Sequence, residues 1–264
     1  MSSSCKCVAV AMSALLLCSV AKADIKDTIQ NAKSGTTVQC SGTYSETGPI
    51  KVPSGVTVKG PATFNFNSTG NNGFELYSSG SQLISITVAG SSHHGIDIQG
   101  SSCKVTSCNA SGSINDGIML DSGSKNNTIS GCSASGNLTG NGDGIGVKNG
   151  ASSGNSIVNS TAHNNYDDGF DFYGAESPVS VSGCQAYSNG TGSGNGVGFK
   201  MGGSYNAAHT YTSCTAHNET GSPGRGFDTN HNTAKIQLNT CHSYSNKNND
   251  ELGNCVLNNC TMQQ

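Results

Sequence analysis

A tetrapeptide of the form Gly-apolar-x-apolar recurs down the chain, and it governs what the chain can fold into. It reads Gly73-Phe-Glu-Leu76, Gly95-Ile-Asp-Ile98, Gly117-Ile-Met-Leu120, Gly144-Ile-Gly-Val147, Gly169-Phe-Asp-Phe172, Gly198-Phe-Lys-Met201 and Gly226-Phe-Asp-Thr229. The steps between the glycines are 22, 22, 27, 25, 29 and 28 residues. Period-two alternation makes each tetrapeptide a short strand with two side chains facing inward. A second β-rich run lies between them and ends in a small side chain, as in Val105-Thr-Ser-Cys108, Thr128-Ile-Ser-Gly-Cys132, Ile157-Val-Asn-Ser160 and Thr210-Tyr-Thr-Ser-Cys214. Two residues later come Ala110, Ala134, Ala162, Ala186, Ala216 and Ser243, and Asn137, Asn165, Asn189 and Asn246 follow three further on. A recurring Asn just after a strand suits a tight turn with a left-handed backbone.

Short strands at this spacing, with stacked Cys, Ala and Asn, predict an all-β fold, a single-stranded right-handed parallel β-helix (a solenoid). No coil can bury its apolar face alone. A β-propeller needs about 40–45 residues per blade, too many for these steps. An open end exposes core and strand edges and must be capped. Ile25, Ile29 and Ala32, following Asp24 as N-cap, predict a short N-terminal capping helix, and Cys255 and Cys260 are placed to tie down the last coil.

Composition narrows the class. Charged residues make up 11% of the chain and there are 5 Pro against 36 Gly, which argues against a solvated disordered chain or a proline-rich linker. A net charge of −3 with scattered Lys provides no basic face for nucleic acid. Lys6, the apolar run from Val8 to Val20 and the small-x-small Ala21-Lys22-Ala23 read as a signal peptide over residues 1–23, followed by one domain over 24–264. The run is too short to span a bilayer. The expected protein is secreted, extracellular and monomeric, without a membrane partner. Nine Cys follow residue 23, an odd number that implies at least one free thiol, and their spacing makes most of them core residues. Eight Asn-x-Ser/Thr sequons, among them Asn67, Asn137 and Asn218, are candidate glycosylation sites.

Coil stacking turns sequence periodicity into columns. The residues before the repeat glycines form one: His94, Asp116, Asp143, Asp168, Val197 and Arg225. Those two after them form an outward column: Glu75, Asp97, Met119, Gly146, Asp171, Lys200 and Asp228. Asp143, Asp167, Asp168 and Asp171 therefore converge. Four carboxylates so close repel one another unless a cation sits among them, and an all-oxygen donor set favours Ca²⁺ over Zn²⁺. The plain alternative is a solvated acidic turn. Lys200 stacks beyond Asp171, as either a solvated charge or a base whose pKa burial and a cation depress. Arg225, the sole Arg, either offers its planar fork to a carboxylate from outside the chain or pairs with Asp228 or Glu219.

The motifs Asn164-Asn-Tyr-Asp-Asp-Gly-Phe-Asp171, Gly196-Val-Gly-Phe-Lys-Met-Gly-Gly203 and Arg225-Gly-Phe-Asp-Thr-Asn230, preceded by Asn141-Gly-Asp-Gly144, resemble those of the family nine pectate lyases over roughly residues 100–250. The resemblance implies Ca²⁺ on Asp143, Asp167, Asp168 and Asp171, and Lys200 as the base that abstracts the C5 proton. It also implies polygalacturonate or pectin as substrate, with cleavage by β-elimination to 4,5-unsaturated products. Arg225 would bind a neighbouring carboxylate. A uronate-polymer hydrolase on the same fold, using two of the aspartates, and a non-catalytic polysaccharide-binding β-helix remain as alternatives.

Overall fold

The structure is a computed structural model describing residues 15–17, 25–67, 70–91 and 93–264. The expected signal peptide lies outside the described residues, except for Leu15–Leu17, a strand pairing in parallel with Thr37–Gln39. No helix among the described residues is long and apolar enough to cross a membrane.

The glycine repeat builds one sheet of eight short parallel strands, running from Ile50–Lys51 through Phe74–Leu76, Ile96–Ile98, Ile118–Leu120, Ile145–Val147, Phe170–Asp171 and Phe199–Lys200 to Phe227–Asp228. The other strands join an 18-stranded parallel sheet that bends around a corner. Thr57–Phe66 and Gln82–Ala89 cross that corner as single strands, and from the second of them onward the corner residue, Ser85, Ser107, Gly131, Asn159, Gly183, Ser213 or Thr240, has φ between 47° and 62°. The expected right-handed parallel β-helix is met.

The inward columns stack like on like. Val105, Ile129, Ile157, Val181, Tyr211 and Leu238 fill one wall, and the alanines of the second repeat another. Phe170, Phe199 and Phe227 stack ring on ring at 4.7 and 4.8 Å. The repeat glycines are not turn residues with unusual backbone; they are required by close approach. A Cβ at Gly144 would lie 2.5 Å from the Ala162 Cβ and 2.6 Å from the Gly169 carbonyl oxygen. Glycine and alanine columns thus interlock across the core.

The recurring asparagines differ from expectation. The left-handed residue is the one before each: Gly136, Asn164, Ser188 and Ser245. The asparagines themselves are buried and form a ladder. Asn137 Nδ2 donates to Asn165 Oδ1 at 2.9 Å, Asn165 Nδ2 to Asn189 Oδ1 at 2.9 Å, and Asn189 Nδ2 to Glu219 Oε1 at 3.2 Å. Inward side chains at a corner can satisfy backbone N–H groups that no strand pairs, and Asn165 and Glu219 do so for Asn137 and Asn189. Burial of Asn137 and Asn189 closes those two sequons to glycosylation.

The nine described cysteines are free thiols. Cys255 and Cys260 do not tie the last coil by a disulfide; Cys260 Sγ instead accepts the Cys241 N–H at 3.4 Å. At the other end the helix Ile25–Gln30 buries Ile25 and Ile29 against the first coil, as expected; Asp24 lies outside the described residues.

Glu219 is the ionisable member of the amide ladder. Burial, opposed by hydrogen bonds from Asn189 and reinforced by Asp168, pushes its carboxyl up to about 8. A raised carboxylate pKa gives stability that is present below the unfolded value and lost as pH rises through the folded one. Glu219→Gln should therefore raise the melting temperature by more at about pH 9 than at about pH 5. Equal shifts at both would show that the ladder carries no buried charge.

Candidate functional site

Strand pairing sets Gly146, Asp171, Lys200 and Asp228 in register on the outer face of the glycine-strand sheet. The residues before the glycines stack beside them. Gly117 N–H donates to the Asp143 carbonyl at 3.0 Å, Gly144 N–H to that of Asp168 at 3.0 Å, and Gly198 N–H to that of Arg225 at 2.8 Å. Both expected columns are therefore real, and they meet at the acidic coils.

Three aspartates are held by the backbone. Asp143 Oδ1 accepts the Asp168 N–H at 2.7 Å, Asp168 Oδ1 accepts the Val197 N–H at 2.7 Å, and Asp167 Oδ1 accepts the Asn195 N–H. One oxygen of each is thus held in place by the backbone. Lys200 Nζ lies 3.0 Å from Asp168 Oδ2 and 3.5 Å from Asp171 Oδ2, and 5.6 Å from the centre of the Tyr173 ring.

Lys148 is the residue the sequence columns missed. Its ammonium pairs with Asp143, with Asp116 at 3.0 Å and with Asp171 at 3.4 Å. It stands four residues after Gly144, in register with Tyr77, Gln99, Asp121 and Tyr173 after their own glycines. That third column was readable, but it falls outside the tetrapeptide. Gly146 lets the Asp116 carboxylate approach: a Cβ there would lie 2.9 Å from both Asp116 Oδ2 and Met119 Sδ. Beyond Asp116 stands His94, whose Nδ1 is 3.3 Å from Asp116 Oδ2.

Burial dominates the electrostatics, and neighbours decide its outcome. It pushes Asp143 well up and Asp168 to about 7, against the pull of Lys148 and Lys200 respectively, with neighbouring carboxylates adding to the rise. At Asp116 the ammonium of Lys148 and the His94 ring overcome burial and hold the carboxyl down at about 2. Lys200 departs from expectation. Burial lowers its pKa, but Asp171, Asp168 and Asp143 outweigh that and hold the ammonium above its ordinary range. Lys148 is raised in the same way by Asp116, Asp143 and Asp171.

Asp116, Asp167, Asp171, Lys148, Lys200 and His94 line an open cleft of about 450 Å³, with His93, Asn115, Asn141, Asn149 and Asn195 on its walls, while Asp143 and Asp168 are buried behind that lining. Asp143, Asp167 and Asp168 each offer a carboxylate oxygen within 4.8 Å of the others. At Ca–O distances of roughly 2.3–2.6 Å, such a spacing lets one ion touch all three, so this donor set fits Ca²⁺. Asp171, the fourth expected ligand, directs Oδ2 to the two lysines. Arg225 does not line the cleft. Its Nη1 pairs with Asp228 at 2.8 Å and Glu251 at 2.5 Å, the ion-pair reading, with Glu251 where Glu219 was expected.

Comparison with known proteins fits this geometry. The family description "Pel9A-like, right handed beta helix region" matches residues 18–259. Pectate lyase L of Dickeya dadantii (strain 3937) is 32% identical over 155 residues, which is 54% of this chain and 36% of that protein. Pectate lyase L of Thermoclostridium stercorarium is 35% identical over 118 residues, 40% of this chain and 9% of that protein. The matched stretches thus span well under half the length of these curated relatives. Among solved structures, pectate lyase Pel9A is similar in fold with a TM-score of 0.78 at 22% identity, covering 90% of this chain and 72% of that one. A rhamnogalacturonan lyase is similar with a TM-score of 0.71 at 20% identity, covering 83% and 68%.

Asp116 is a counter-charge of the Lys148 ammonium, so Asp116→Asn should destabilise the protein by about 3 kcal/mol at neutral pH. Because the folded carboxyl is held down at about 2, against an ordinary value of 3.8, its contribution is present above the ordinary value and lost as pH falls through the folded one. Denaturant titrations of both proteins should therefore converge toward about pH 2. A penalty independent of pH would point to packing instead of charge.

Proposed function

As the chain belongs to the Pel9A-like right-handed β-helix family, we propose that it is a pectate lyase that cleaves polygalacturonate by β-elimination. The observation that carries this reading is the lysine at the edge of the aspartate cluster: Lys200 Nζ lies 3.0 Å from Asp168, whose carboxylate groups with those of Asp143 and Asp167, and Lys200 and Asp167 open this cluster to the cleft. Asp143, Asp167 and Asp168, with Asp171 beside them, would hold Ca²⁺. When bound there, the ion would supply the charge that draws electrons from a uronate carboxylate and acidifies the adjacent C5 proton.

Lys200 takes the C5 proton on Nζ. The C5–H electron pair becomes the C4=C5 double bond, the C4–O bond breaks, and the departing oxygen takes a proton from solvent. The base must be neutral, and the carboxylates that now hold its proton are those proposed as ligands. Neutralising them leaves burial as the governing influence, and burial favours the free amine. Backbone N–H groups keep Asp143, Asp167 and Asp168 oriented through this change. Arg225 can serve a substrate carboxylate only by sharing its guanidinium with Asp228 and Glu251. Hydrolysis is the second reading, favoured by Asp168, whose pKa of about 7 suits a general acid.

The test is absorbance near 235 nm (roughly, for the conjugated uronate double bond) on polygalacturonate, with Ca²⁺, with chelator and with Lys200→Ala. A rise abolished by chelator and reduced about 10²–10⁴-fold in the variant is expected. With the Lys200 ammonium held high, the neutral fraction grows with pH, so the rate should climb from neutral into alkaline solution. New reducing ends without absorbance would favour hydrolysis. Silence by both readouts would sink the enzymatic reading.

A further inference from the structure

Lys148 takes no part in the proposed chemistry, yet it is the most heavily paired cation in the cleft. It contacts three carboxylates: Asp143, Asp116 at 3.0 Å and Asp171 at 3.4 Å. One of these, Asp143, belongs to the trio whose oxygens lie within 4.8 Å of one another. The atom Lys148 contacts is Asp143 Oδ2, the oxygen left over once the backbone has taken Oδ1. The ammonium therefore holds the oxygen that a divalent cation would need from this residue. Asp116 does not belong to the trio, and it sits one coil away with His94 on its other oxygen.

We propose that Lys148 is a built-in competitor that sets the affinity of the acidic cleft for a divalent cation: the cation draws Asp143 Oδ2 from the ammonium, which stays on Asp116 and Asp171. This rests on the reading of the trio as a Ca²⁺ site and adds to it a residue that tunes the site. Five aspartates face two lysines here, namely Asp116, Asp143, Asp167, Asp168 and Asp171 against Lys148 and Lys200. A monovalent ion gains little by displacing an ammonium of equal charge, whereas a divalent ion gains a net charge. Lys148 thereby makes the cleft selective for doubly charged cations, at the expense of tightness. It is a positioning residue, because it acts on the cation through Asp143.

The experiment is calorimetric titration of the full chain with CaCl₂, without substrate, on wild type, Lys148→Met and Lys148→Arg. Removing one positive charge several ångströms from the ion should tighten binding by about tenfold or more at an effective dielectric near 20. Lys148→Arg keeps the charge and should stay within about threefold of wild type. If Lys148→Met does not fold, Lys148→Gln, which keeps a donor for Asp116, should tighten binding in the same direction. Calcium should also raise the melting temperature of the neutral variant by more than that of wild type. Wild type that binds calcium while the neutral variants bind equally or more weakly would overturn the proposal and leave the lyase reading intact. No uptake by any of the proteins would overturn both.

Discussion

Parallel backbone hydrogen bonding between successive coils sets a rise of about 4.8 Å, and the rest of this protein depends on what can stack at that distance. Phenylalanine rings can, as Phe170, Phe199 and Phe227 do. So can side-chain amides, whose oxygens along the Asn137–Asn165–Asn189 ladder accept the backbone N–H of the preceding corner. Core width is set by a further requirement. Wherever the alanine wall meets the repeat strand, the strand must present glycine, because a single Cβ at Gly144 would collide with Ala162.

The same rise that gives apolar groups a stable repeat brings like charges together on the outside. Asp143 and Asp168 sit one above the other, linked by the bond from Asp168 N–H to Asp143 Oδ1. Burial raises both carboxyls, and the fold tolerates this because two lysines stand among them. Such a site gives up stability for reactivity. Its carboxylates are oriented by backbone donors and partly neutralised, a condition suited to exchange with an incoming cation.

The faces of the solenoid differ sharply in chemistry. On the outer surface beyond the alanine wall, His163, Tyr187, His217 and Tyr244 stack at 4.8, 5.2 and 5.1 Å with nearly parallel rings. The histidines there are partly exposed repeat residues, as their position after the stacked alanines predicts, and they meet aromatic neighbours where carboxylates would be needed to build a site. The cleft face is distinguished by breaking the like-on-like rule: Met119, Gly146, Asp171 and Lys200 follow one another in a single column. A column that abandons repetition has no reason in stacking, and there function is the better explanation.

The sequence by itself determined the solenoid, its strand columns and the meeting of Asp143, Asp167, Asp168, Asp171 and Lys200. Those conclusions need only the period-two pattern and the coil length, because stacking translates position in the repeat directly into position in space. Tertiary structure decided what the repeat does not encode. The asparagines proved to be an internal ladder because the left-handed corner falls one residue earlier, and the cysteines stayed thiols within the core. Lys148 entered the site from the turn after its strand, drawn to Asp116, Asp143 and Asp171. Arg225 was drawn to Glu251 in the following coil, and the Lys200 ammonium was held high. Long side chains and pKa values depend on every charge within reach in three dimensions, and a one-dimensional repeat records only which residues share a column.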